Sequence, residues 1–229
     1  HDAKEESIHT IFEMAVYKEH GNCKALVLAG CLAQRYYKEI KTEIPEIDIC
    51  IGTTAIDEIA RALDCFFEKK EKVQFIEDIN KLSGVDAPRN LSTFGNSAYL
   101  KIAEGCDKHC TYCIIPKIRG SYRSVDMETL IKEAEGLAER GIKELILVAQ
   151  DTALYGKDLY GQCQLPALLH GLCAIEGIRW VRLLYCYPEH LTEETIAAMA
   201  AEPKVCHYID MPIQHGDDRV LKLMGRKNT

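Results

Sequence analysis

From residue 98 onward the sequence alternates short apolar runs with longer stretches of helical period. The runs are AYLKIAEG (98–105), KELILVAQD (143–151), IRWVRLLYCYP (178–188) and HYIDMPIQHG (207–216). Between and after them lie DMETLIKEAEGLAERG (126–141), LPALLHGLCAIEG (165–177), TEETIAAMAAE (192–202) and a helical start over 217–226. Strands that alternate with helices pair in parallel and are covered by those helices. Four such units without an antiparallel signal predict an α/β fold, either part of a (β/α) barrel or an open parallel sheet. Periodicity alone does not choose between the two.

The first third of the chain repeats the pattern in shorter units. Residues 3–19 put Ile8, Ile11, Phe12, Ala15 and Val16 on one helical face. KALVLAG (24–30) and IDICIG (47–52) read as buried strands, and CLAQRYYKEIKTEI (31–44) as a helix. TAIDEIARALDCFF (54–67) reads as another helix, with Thr53 or Thr54 as its N-cap. SGVDAPRNLSTFGNS (83–97) lacks periodicity and is rich in Ser, Gly, Asn and Pro, as a linker is. The expected organisation is a first domain over 1–82, a linker over 83–97 and a second domain over 98–229. The sequence opens on His1 and closes at KLMGRKNT, both inside helical patterns, so a fragment of a longer protein is expected.

The net charge is −7, and basic residues cluster only locally, as at Lys117, Arg119 and Arg123. A broad nucleic-acid surface needs positive charge to displace counterions, so RNA is the less favoured substrate. No run of 18 apolar residues and no leader pattern is present, so no membrane partner is expected. With 11 cysteines in an α/β chain, clustered thiols point to metal or to chemistry in a reducing cytoplasm.

Three of those cysteines fall within GCDKHCTYCIIPKIRGSYRS (105–124), as Cys106, Cys110 and Cys113 at the spacing C-x3-C-x2-C. The i, i+4, i+7 spacing would also suit one face of a helix, where cysteine packs as a small hydrophobe. Gly105 before the run, Pro116 after it and the intervening Asp107, Lys108, His109 and Thr111 disfavour that helix. A loop at the end of a strand, with converging thiols, fits better. Its ligand is either zinc, with His109 or another group as fourth donor, or an iron–sulfur cluster with one iron left open.

GCDKHCTYC after a strand resembles the signature of the radical S-adenosylmethionine (SAM) enzymes, and Tyr112 fits the aromatic position before their last cysteine. GCLAQRYYKEI (30–40), RGSYRS (119–124), LILVAQDTALYGKDLYG (145–161), RLLYCYPEHLTEE (182–194) and DMPIQHGDDRVLKLMGR (210–226) extend the resemblance to the methylthiotransferases. AQDT with YG, and YCYP, favour the branch that modifies a small-subunit ribosomal protein over the branch that modifies tRNA. The resemblance implies a partial radical-SAM TIM-like barrel preceded by an incomplete α/β methylthiotransferase domain. It implies two [4Fe–4S] clusters, one held by Cys106, Cys110 and Cys113 and the other represented here only by Cys31. It also implies that one SAM provides a methyl group and a second is split to a radical. That radical takes hydrogen from the β-carbon of an aspartate, where a methylthio group is then placed. Such a reaction needs no catalytic triad, and a fragment is expected to be inactive alone. Flavodoxin or ferredoxin is the implied electron donor.

Positions at strand ends supply candidates for the SAM contacts: Gln150 and Asp151, Arg182, and Gln214 with His215. Arg182 is as well explained by a structural ion pair. Arg123 and Ser124 are placed to brace the cysteine loop. Tyr155, Tyr160, Tyr185 and Tyr187 are candidates for facing a protein substrate or for plain packing. The remaining cysteines read as packing residues, Cys186 with the least assurance because it lies near the proposed barrel mouth.

Overall fold

The computed structural model describes residues 2–83, 90–91 and 95–227. The chain divides into two compact units, His1–Ala87 and Pro88–Thr229. Most of the expected linker 83–97 lies outside the described residues.

The first unit is built from α1 (Asp2–His20), β1 (Val27–Ala29), α2 (Cys31–Glu43), β2 (Ile49–Ile51), α3 (Ile59–Lys69) and β3 (Val73–Phe75). The strands form one parallel sheet in the order β1-β2-β3. The central strand, β2, is buried throughout, which is why it reads as an unbroken apolar run. Cys50 points into a cluster with Ile11, Ala33, Ile40 and Ile44, while Ile49 and Ile51 meet Ala55 and Ala62 on the other face. On α1, Ile11 and Ala15 are buried, whereas Phe12 and Val16 are about half exposed. The buried stripe of α1 is therefore narrower than its apolar pattern. The expected threonine cap is corrected: α3 follows a 3-10 turn at Ile56–Glu58 and starts four or five residues later. Thr53 instead donates its N–H to Gln34 Oε1 at 3.0 Å, and the Thr54 hydroxyl donates to Asp78 O at 3.0 Å.

The second unit runs β4 (Ser97–Lys101), β5 (Ala103–Glu104), α4 (Ile115–Arg119), β6 (Arg123–Ser124), α5 (Met127–Glu139), β7 (Glu144–Val148) and α6 (Lys157–Tyr160). It continues with α7 (Leu165–Ala174), β8 (Trp180–Leu183), α8 (Glu193–Ala201) and α9 (Asp218–Leu223). Strands β4, β7 and β8 form a parallel sheet in that order, with Leu100 opposite Leu147 and Leu147 opposite Leu183. Those leucines are fully buried, as are Leu130 of α5 and Leu165, Leu168, Leu169 and Leu172 of α7. Helix α5 begins where Asp126 Oδ1 accepts the Thr129 N–H at 2.9 Å, an N-cap that its sequence advertises.

Two expectations need correction. Residues 207–216 form no fourth strand. They run beside β8, held by a bridge between Val181 and Val205 and by the Cys186 N–H donating to Asp210 O at 2.8 Å. Pro212 offers no N–H to a ladder there, and Gln214 has left-handed backbone that a strand cannot contain. The other correction is an antiparallel pair, β5 with β6, which sets Glu104 opposite Arg123 and closes the base of the cysteine loop. Two residues per strand are too few for a period to be read.

Candidate active site

The cysteine loop leaves β5 through Gly105, whose φ is +83°. A Cβ at this position would collide with the Ser121 and Gly120 carbonyl oxygens, so the tight departure depends on glycine. The Cys106 N–H donates to Gly120 O at 3.0 Å and the Cys113 N–H to Cys110 O at 3.0 Å. Thr111 N–H donates to Met224 O at 3.0 Å, tying the loop to the end of α9. Cys106, Cys110 and Cys113 thereby line one cavity of about 450 Å³, together with Tyr112, Gln150, Tyr185, Gln214 and Arg226. Burial pushes the Cys106 thiol up. Lys108 opposes this through its backbone N–H, 3.4 Å from the sulfur, and through its charge, while Cys110 and Cys113 are close enough to add to the rise.

Behind Cys106 lies a buried ion cluster. The Asp151 side chain is 1% exposed, and its Oδ2 receives the Lys108 ammonium and, at 2.6 Å, His190 Nδ1. Nδ1 must carry the proton to donate to a carboxylate at that distance, so the Lys108 Nζ contact with it at 3.3 Å is proximity rather than a second hydrogen bond. Lys108 Nζ also sits 2.9 Å from the centroid of the Tyr187 ring, and Arg226 lies 3.8 Å from the same centroid. Burial lowers the Lys108 pKa, against the pull of Asp151. The Tyr122 hydroxyl donates to Asp151 O at 2.8 Å, and burial raises its pKa. A second cavity of about 570 Å³ is lined by Cys106, Lys108, Tyr122, Asp151, Tyr187 and His190 among others, so Lys108 and Tyr187 border both spaces.

The candidates named from sequence separate into two groups. Tyr112, Gln150 and Gln214 line the cavity of the three cysteines. Gln150 Nε2 donates to Glu104 Oε1 at 3.2 Å, which fixes the amide orientation and leaves its buried Oε1 without a partner. Asp151 lines the neighbouring cavity, and its carboxylate is engaged by Lys108, His190 and the Tyr187 N–H. Arg182 lines neither cavity: its Nε donates to Glu144 Oε1 at 2.7 Å. His215 is exposed, and its Nδ1 accepts the Asp217 N–H at 2.9 Å. Cys31 starts α2 directly after Gly30, half-buried, in the first unit.

Ser124 takes Asp158 with both hydroxyl and N–H, at 2.6 and 2.8 Å, and Arg123 bonds Arg119 O at 3.0 Å, so both brace the loop's return. Tyr155 is fully buried with its hydroxyl on Val125 O, and the Tyr160 hydroxyl accepts the Met127 N–H. Cys186 is also fully buried, 3.3 Å from the Thr152 hydroxyl. Lys108, Glu104, His190 and Arg226 were not singled out from sequence, because isolated charged residues carry no spacing signal.

A cavity lined by three thiols of one loop, beside the ends of parallel strands, is a place for a metal centre. Residues 100–229 match the Radical SAM superfamily, and the chain belongs to that superfamily. Residues 1–52 match an uncharacterized protein family, UPF0004. Among curated proteins the chain is similar to ribosomal protein uS12 methylthiotransferase RimO of Lachnoclostridium phytofermentans, at 56% identity over 99% of this chain and 51% of that protein. The RimO proteins of Acetivibrio thermocellus and Desulforamulus reducens are 54% and 49% identical, each again over 99% of this chain and 51% of its relative. The chain thus spans about half the length of these relatives. Among solved structures, the cobalamin-dependent SAM radical enzyme OxsB overlays 99% of this chain and 36% of its own, with a TM-score of 0.63 at 14% identity. That is a likeness of fold.

The superfamily's cofactors are a [4Fe–4S] cluster and SAM. The donor set fits them. Among the described residues no three His, Cys, Asp or Glu side chains converge on a single metal ion. The three thiols border one cavity of about 450 Å³, and the buried Gln150 Oε1 stands in its wall as an unused acceptor. Among the described residues no helix is long and apolar enough to cross a membrane.

Proposed function

We propose that this chain is part of a methylthiotransferase that modifies the β-carbon of an aspartate in a small-subunit ribosomal protein. The single observation that carries the reading is the cavity bordered by Cys106, Cys110 and Cys113, in a chain about half identical to RimO proteins. When bound, the cluster and SAM supply a radical able to take hydrogen from an unactivated C–H bond, which no side-chain base can deprotonate. The chain's own residues hold and aim. The three thiolates would ligate irons, and Gln150 Oε1, a buried acceptor without a partner in that wall, would take the SAM ammonium. Tyr112 and Gln214 line the rest of the SAM pocket. Lys108, anchored on Asp151, holds the cysteine loop against the ends of β7 and β8 and keeps a positive charge beside Cys106. Asp151 and Arg182 are left out of the SAM contacts because their charges are already matched within the chain.

Cys31, with two cysteines from outside this sequence, would hold the second cluster. The electron donor would be a flavodoxin or ferredoxin. The test is an anaerobic assay of the protein at its full natural length, reconstituted with iron and sulfide, against both the ribosomal protein and tRNA. Gain of a methylthio group on an aspartate of the ribosomal protein, read by mass spectrometry, is the expected result. Modification of tRNA alone would refute it.

A further inference from the structure

Three described residues other than glycine have left-handed backbone: Lys70, Tyr185 and Gln214, with φ of 55°, 58° and 67°. Lys70 ends α3 in the common way, its N–H reaching Phe66 O at 2.8 Å. Tyr185 and Gln214 end no helix, and both line the cavity of the three cysteines. A bulky residue with φ above zero is an outlier that persists only where its surroundings dictate it.

At Tyr185 those surroundings are explicit. Its N–H donates to Asp210 Oδ2 at 3.0 Å and its carbonyl accepts the Thr152 N–H at 3.1 Å, while the next N–H, of Cys186, donates to Asp210 O at 2.8 Å. Asp210 therefore clamps two consecutive residues, one with its side chain and one with its backbone. The strain is not repaid by packing the ring, because Tyr185 is 50% exposed while its neighbours Leu183, Cys186 and Tyr187 are buried. The clamp holds a half-exposed aromatic ring in the wall of the thiol cavity, which also contains the Arg226 guanidinium, stacked on Tyr187 and donating to Pro212 O at 2.6 Å.

From this we infer that Tyr185 is a specificity-determining residue that contacts the substrate rather than SAM, held in place by Asp210. The aromatic face with a nearby cation suits a peptide segment carrying a carboxylate side chain. The inference rests on the proposed function for the nature of the substrate.

The test uses Tyr185→Gly and Tyr185→Phe in the reconstituted protein of full natural length, with a peptide of the ribosomal protein that carries the target aspartate. Glycine takes the backbone conformation without strain, so the apo protein should unfold at an unchanged or higher temperature. KM for the peptide should rise roughly tenfold while kcat changes little, and peptide-free SAM cleavage should fall by a clearly smaller factor. Tyr185→Phe should restore KM, since the ring and not the hydroxyl is what the cavity presents. A large fall in the unfolding temperature of the glycine variant would make the ring structural and overturn the inference. An equal loss of peptide-free SAM cleavage would assign Tyr185 to the cofactor and also overturn it. A wild-type protein that modifies tRNA and never the peptide would instead refute the proposed function, and with it the carboxylate partner, with stability and SAM cleavage still reading the role of the ring.

Discussion

The chain twice places a cysteine directly after a glycine with positive φ at the end of a strand: Gly30–Cys31 after β1, and Gly105–Cys106 after β5. Around Gly30 nothing lies within 4 Å of where a Cβ would stand, and Cys31 goes straight into a helix. Around Gly105 the backbone of residues 120–121 closes in, two more cysteines follow, and a buried Lys108–Asp151–His190 cluster backs the loop. A thiol at a strand end is therefore only a position. Within this chain it becomes a site where a crowded loop return and a paired buried charge fix several thiols around one space.

The largest effect should come from alanine at Gly105, with Gly30 as its comparison. Gly105→Ala meets both a disfavoured φ and carbonyl oxygens in the way, and should cost about 3–5 kcal/mol. Gly30→Ala meets only the φ and should cost about 1–2 kcal/mol. Urea unfolding of the two variants compares them directly, and equal costs would break the contrast. Next in size, Asp151→Ala strands the partly buried Lys108 and should destabilise by about 3 kcal/mol, again read in urea. The variant should be worse than Lys108→Met, which leaves Asp151 with His190 as partner.

These expectations also mark what was legible beforehand. The parallel βα order, the helices around the second sheet and the cysteine loop all follow from patterns of several residues, so periodicity and spacing reveal them. β3, with polar Gln74 between two half-buried apolar residues, and the two-residue β5–β6 pair are too short to carry a period. The run 207–216 looked like a strand because its apolar content is high, yet Pro212 and the left-handed Gln214 keep it irregular. At the site, the thiols announced themselves, whereas Lys108, His190 and Arg226 matter only because the fold brings them to Asp151 and Tyr187. Asp151 illustrates the limit: its strand-end position marks it as a candidate, but says nothing of the Lys108 and His190 side chains that engage its carboxylate.

Smaller effects sharpen the picture away from the thiols. Asp126→Ala removes the α5 cap and should cost about 1 kcal/mol. The Thr129 N–H holds the Asp126 carboxyl below its ordinary pKa, so this contribution is complete above the usual carboxylate range. It is lost as pH falls through the lowered value, and in thermal melts the alanine variant should lack that acid-side decline. Smallest of all, Arg182→Ala breaks a partly exposed pair with Glu144 and should cost at most about 1 kcal/mol. It should leave SAM binding by the reconstituted protein unchanged. Weaker SAM binding there would return Arg182 to the cofactor site.

The most direct measurement is anaerobic reconstitution of the 229-residue chain with iron and sulfide, followed by metal analysis and electron paramagnetic resonance of the reduced protein. Alanine variants of Cys106, Cys110, Cys113 and Cys31 should be taken through the same procedure. The account predicts one [4Fe–4S] cluster per chain, lost in each of the first three variants and kept in Cys31→Ala. A colourless protein with stoichiometric zinc, or a cluster that survives removal of all three loop cysteines, would contradict it.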